Sequence, residues 1–181
     1  DGQAVTCDDF VAAMADANDR DLTHFKRWYS QSGTPEVTIT SDYDPAARTH
    51  TLTLEQLTRP TPGQEEKLPL HIPLRIGLLG ANGGDLDLIS DADCLGEGGL
   101  IHLTEARQTV TFKEIPDRPV LSANRGFGAP VVMKTDQTDQ DLAFLMAHDS
   151  DPFARWEAGQ QYATRLMKAA VTAMAAGGPD D

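Results

Sequence analysis

The chain has 181 residues, 40% of them hydrophobic, with 15 basic against 28 acidic side chains and a net charge of −13. Enough apolar residues are present to fill one ample core or two small ones, which excludes a disordered chain. The negative balance repels phosphate backbones and anionic lipid, and no run of about eighteen apolar residues occurs, so nucleic acid and membrane are excluded as expected partners.

The chain starts at Asp1 rather than Met and shows no basic end followed by an apolar run, so it reads as a segment of a longer polypeptide without a secretion signal. Thr6 and Asp9 form a capping-box variant that opens a short helix, with Phe10, Val11 and Met14 on its expected buried face. A second helix follows, capped by Asp19 or Asp21, with Leu22, Phe25, Trp28 and Tyr29 inward and Lys26, Arg27 and Gln31 toward water. Two such helices have little core of their own, so part of their apolar face is expected to stay open.

Gly33 and Pro35 stop the helical period, and from about Pro35 to Asp136 the pattern is alternation. It is clearest in Leu70, Ile72, Leu74, Ile76 and Leu78, with Val37/Ile39, Leu52/Leu54, Leu86/Leu88 and Val110/Phe112 as further pairs. Turn clusters at Tyr43-Asp44-Pro45, Arg59 to Gly63, Gly80 to Gly84, Gly96 to Gly99 and Pro116 to Pro119 divide this stretch into about seven short strands. That number of short strands predicts a mainly β fold, an immunoglobulin or fibronectin-type sandwich. Pro73 lacks a donor and belongs at an edge or bulge, and Pro69 sits where a strand begins.

After Asp136 the helical period returns, with Leu142, Leu145 and Met146 on one face. Asp151-Pro152 then opens a long helix carrying Phe153, Trp156, Ala163, Leu166, Met167 and Ala170 at three-to-four spacing. The tail from Gly177 to Asp181 cannot continue a helix and is expected to fray.

No motif of reactive residues stands out. The five His, at 24, 50, 71, 102 and 148, are too far apart in sequence for local metal ligation and read as surface or packed imidazoles, although the fold can still gather remote ones. Cys7 and Cys94 are too few for a disulfide framework, which points to free thiols in a reducing compartment. Gly77 to Gly83 does not match G-x-G-x-x-G and reads as a hairpin turn. Asp136 to Asp141 lacks the Gly and Glu of a calcium loop and reads as a helix start. The acidic group Asp85, Asp87, Asp91 and Asp93 reads as a solvated loop, and Asn124 to Pro130 as Gly/Pro punctuation between strands. Trp28, Tyr29, Phe153 and Trp156 suit core or domain contact better than a recognition surface. Catalytic, cofactor-binding and metal residues are therefore all expected to be none.

Several strings carry a resemblance that pattern alone does not: Thr6 to Phe10, His24 to Ile39, Tyr43-Asp44-Pro45, Leu70 to Leu74, Leu142 to His148 and Phe153 to Ala158. Together they resemble the bacterial aminopeptidase N family, zinc metallopeptidases of the gluzincin class. The resemblance implies that residues 1–33 are the last helices of a catalytic domain, 34–136 a β-sandwich and 137–181 the start of a C-terminal helical domain. It also implies a cytoplasmic parent enzyme that uses one zinc ion to remove N-terminal residues from peptides. The H-E-x-x-H helix of that chemistry is absent from this sequence, so the segment is expected to be inactive, with the two flanking domains as its partners. A free-standing immunoglobulin-like module that binds a protein or carbohydrate is the competing reading, and a complete small hydrolase a third.

Overall fold

The computed structural model describes residues 4–177; the expected fraying of Gly178 to Asp181 lies outside them. Among the described residues there are four α-helices and nine strands, so the chain is mainly β with helices at both ends. Helix α1, Cys7–Asn18, is opened by the Thr6–Asp9 capping box and closed by Asp19 in the left-handed region. Its predicted buried face is only partly used: Val11 is buried, but Phe10 and Met14 are exposed. Helix α2 is shorter than its apolar spacing implies, Arg27–Ser30. Tyr29 on it is 53% exposed, whereas Trp28 packs against the core. No element of the described chain covers Phe10, Met14 and Tyr29, which leaves them as open apolar surface.

The sandwich is built from β1 (Glu36–Asp44), β2 (Thr49–Leu57), β3 (Ile72–Arg75), β4 (Gly77–Leu79), β5 (Leu95–Gly96), β6 (Leu100–Leu103), β7 (Arg107–Phe112), β8 (Val120–Ser122) and β9 (Val132–Thr135). One layer has the order β7-β2-β1-β9; the other is divided between β3-β6-β5 and β4-β8. Alternation sends Val37, Ile39, Leu52, Leu54, Val110 and Phe112 inward from the first layer. Leu70, Ile72, Leu74, Leu78, Ile101, Leu103 and Leu121 meet them from the second, forming one core.

Two expectations change here. The run from Leu70 to Leu78 is not one strand: it becomes β3 and β4, which pair with β6 and β8 in different sheets. Leu86 and Leu88 pack against the core without forming a strand, held by isolated bridges at Asp85 and Ile89. The sequence carries no signal for the pairing of β9, which joins β1 in parallel and needs a distant crossover. Pro73 does lie on an edge strand, because β3 ends its sheet.

At the C-terminal end, α3 (Asp139–His148) starts with a Thr138–Asp141 capping box, and α4 (Pro152–Ala176) with Asp151 as N-cap and proline at N1. Leu142 and Leu145 are buried with Leu79 and Ala158 in a second cluster. The predicted inward face is corrected in part. Met146, Trp156, Leu166 and Met167 are exposed, and the face that packs is the small-residue one of Ala154 and Ala158. Alanine at these positions lets α4 approach α3 closely, while Trp156, Leu166 and Met167 stay exposed. No helix of the described residues is long and apolar enough to cross a membrane.

Candidate functional site

Two junctions tie the helices to the sandwich, and the second centres on Arg125, a residue with no sequence signal. On the N-terminal side, Arg27 Nη1 donates to the carbonyl of Pro69 at 2.6 Å, and the indole Nε1 of Trp28 donates to the carbonyl of His71 at 2.8 Å. The Gln31 side chain pairs with both backbone groups of Leu68, at 2.9 and 3.0 Å. These bonds clamp the α2 segment along the chain that leads into β3.

On the C-terminal side, the short turn after β8 carries Arg125 into a slot where only 12% of its side chain meets solvent. Its Nε donates to Ser122 Oγ at 2.8 Å, and its Nη2 to Asp85 Oδ1 at 2.6 Å and Asp149 Oδ1 at 3.0 Å. Asp149 comes from the α3–α4 connection and is fully buried, and its Oδ1 also caps the backbone N–H of Asp151. Ser150 Oγ donates to the other oxygen of Asp85 at 2.9 Å, so three segments meet on one guanidinium. Gly77 makes room for it: a Cβ there would sit 2.2 Å from Arg125 Cζ. The Arg125 hydrogen bond, set against the opposing effect of burial, holds the Asp85 carboxyl below its ordinary value. Asp85 is thus a structural ligand of the junction rather than part of a solvated loop.

A second ion pair reinforces this junction. Arg118 donates twice to Asp141, at 2.9 and 3.0 Å. Burial alone would push Asp141 up, but Arg118 and the Thr138 donors outweigh it and hold the carboxyl at about 2. Between sandwich and helices lies a cavity of about 120 Å³ lined by residues including Phe127, Met133, Leu142, Phe153 and Glu157. Phe127 and Phe153 close one side of it with ring centroids 5.1 Å apart.

The fold also gathers three of the five imidazoles. His71 Nε2 and His102 Nδ1 are 2.9 Å apart, and the His24 ring lies 6.0 Å from that of His71. His148 is exposed, and the thiols of Cys7 and Cys94 are free. His50 is buried on β2 with neither ring nitrogen bonded among the described residues. Burial, with the Arg118 cation adding to it, pushes His50 below the ordinary imidazole value against the pull of Asp136 and Asp42.

The depressed folded value means the unfolded chain binds the extra proton, so the contribution of His50 is full above about pH 6.5 and is lost as pH falls below it. Replacing His50 with Leu removes that loss. Urea denaturation at pH 8 and pH 5.5 should show the loss of stability at the lower pH reduced in the variant; an unchanged difference would place the titration elsewhere.

A catalytic zinc ion needs three protein ligands. Among the described residues no group of three or more His, Cys, Asp or Glu is arranged to hold a metal ion, and the sequence has no H-E-x-x-H. The donor set does not fit such a centre.

Comparison with known proteins places this architecture. The profile described as "Domain of unknown function (DUF3458) Ig-like fold" matches residues 33–136. The chain belongs to this family. Residues 139–180 match the companion family described as DUF3458_C, ARM repeats. Aminopeptidase N of Caulobacter vibrioides is 47% identical over 181 residues, covering 100% of this chain and 20% of that protein. The Escherichia coli aminopeptidase N is 43% identical over 179 residues, 99% of this chain and again 20% of the relative. Among solved structures, Legionella pneumophila aminopeptidase A in complex with aspartic acid superposes with a TM-score of 0.78 at 29% identity, over 95% of this chain and 18% of that one. The chain therefore spans about one-fifth of the length of the relatives it matches.

Proposed function

We propose that this chain is the non-catalytic β-sandwich segment of a zinc-dependent aminopeptidase. Its work is to fix the geometry between a catalytic domain and a helical-repeat domain of the same polypeptide. The observation that carries this is the pair of junctions: both ends of the sandwich are bonded to helical segments whose outer apolar faces are open. Residues 1–33 then belong with the catalytic domain, 34–136 are the sandwich and 137–181 begin the repeats. On the C-terminal side, the exposed Leu166, Met167, Val171 and Met174 of α4 suit a following helix pair, because a repeat of this kind buries its face only against its neighbour. On the N-terminal side, Phe10, Met14 and Tyr29 suit the body of the catalytic domain. The parent's zinc, its peptide substrates and its cytoplasmic location belong to the same proposal and rest on the resemblance to the aminopeptidase N family. No step of the reaction is assigned to residues of this chain. Fixing the frame matters because a displacement of about 1 Å at a reacting centre costs on the order of a hundredfold in rate.

The purified chain, incubated with zinc and an alanyl chromogenic substrate, should show no turnover above buffer. Zinc-dependent hydrolysis would replace this reading with that of a complete small hydrolase.

A further inference from the structure

We propose that His71 and His102 form a two-imidazole chelate for a borderline divalent transition cation such as Ni²⁺, Cu²⁺ or Zn²⁺. The inference stands apart from the aminopeptidase reading, whose zinc centre needs an H-E-x-x-H helix that the sequence does not contain. Register sets up the pair. Ile72 is paired with Leu103 and Pro73 with His102, so His71 and His102 lie diagonally across β3 and β6. Ile72, Leu74, Ile101 and Leu103 all turn into the core, which sends both imidazoles to the outer face, where they are half-buried.

Their facing nitrogens are 2.9 Å apart. Two imidazole nitrogens bound to one cation at about 2.0–2.1 Å are separated by about 2.9 Å at a right angle and about 3.3 Å at the tetrahedral angle. The pair thus stands near chelating separation, closest to the right-angle geometry of Cu²⁺ and Ni²⁺. One of the two nitrogens now carries the proton of their hydrogen bond. On binding, that proton moves to the other nitrogen of its own ring and both lone pairs face the cation, with no net release. Hydrogen bonding within the described residues engages neither Nδ1 of His71 nor Nε2 of His102, which leaves them free for that tautomer. The backbone at Gly96 runs beside the His102 ring without a side chain, where a Cβ would lie 3.5 Å from Nε2. His24 bonds the Pro69 carbonyl and stands next to Arg27, so it is not counted as a ligand.

The test is a titration of the untagged chain with NiCl₂ or CuSO₄ in a non-chelating buffer at pH 7.5, followed by calorimetry and by paramagnetic broadening of backbone amide signals. One equivalent per chain is expected, with broadening centred on residues 71 and 102 and tighter binding of Cu²⁺ than of Ni²⁺. His71→Gln or His102→Gln should each weaken binding by more than about tenfold with an unchanged circular dichroism spectrum. His148→Gln, at an exposed imidazole of α3, should not change it. The broadening map of the unmodified chain decides the matter even where a variant fails to fold. No uptake, broadening centred elsewhere, or binding that survives the double His71→Gln/His102→Gln change would overturn the proposal.

Discussion

Arg125→Ala should destabilise the protein by about 3–5 kcal/mol, because it strips the cation from a buried carboxylate. Asp149 has no solvent exposure, and its second oxygen already lacks a hydrogen-bond partner among the described residues. Removing Arg125 leaves that charge facing only the Asp151 amide, with Asp85 nearby and Ser122 Oγ without its donor. Urea denaturation at pH 7 measures the loss. The cause is checked by the double change Arg125→Met/Asp149→Leu, which removes both charges at once and should recover most of the stability. A loss below about 1 kcal/mol for the single change would mean the junction is bridged mainly by Arg118 and Asp141.

Gly99→Ala should cost about 2–5 kcal/mol, combining backbone strain with a steric clash. Gly99 has φ +73°, and a Cβ there would lie 2.5 Å from the carbonyl oxygen of Ile76 and 2.7 Å from Leu88 Cδ1. Its own carbonyl accepts from Ile76 N at 2.9 Å, so relieving the clash means giving up the bond that holds the chain between β3 and β4 against the turn before β6. The midpoint of thermal unfolding should fall accordingly, and a variant as stable as the parent would show that this turn can move without cost.

Much of the architecture was legible because its signals are local. Thr6 and Asp151-Pro152 open helices as their chemistry requires, Asp136 to Asp141 leads into one, and the alternation at Val37/Ile39, Leu52/Leu54 and Val110/Phe112 marks strands of one layer. The Gly80 to Gly84 turn is likewise local, closed by the Gly83 N–H on the Gly80 carbonyl. What could not be read depends on partners far away in sequence. Leu86 and Leu88 alternate like a strand but their segment makes only single bridges, Asp85 to Leu79 of β4 and Ile89 to Lys113, and they are partly buried by packing against the core. Phe10, Trp156 and Leu166 have the spacing of a packed face, yet spacing says only that a face is apolar and not what covers it. Arg125 sits in a Gly-rich loop that Gly and Pro punctuation explains well enough. Its role appears only when Asp85 and Asp149, 40 and 24 positions away, are brought to it. The His71–His102 pair has the same origin, 31 residues apart and joined by register.

Those distant contacts turn a sandwich with loose helical ends into one frame, which is the physical content of the proposed function. Hydrogen exchange compared between the unmodified protein and Arg125→Ala tests it most directly. The account predicts that amides of α3 and the first turns of α4 lose protection sharply in the variant while those of β1 and β2 keep theirs. Equal protection of α3 and α4 in both proteins would contradict it, because the helices would then be held without the guanidinium that joins them to the sandwich.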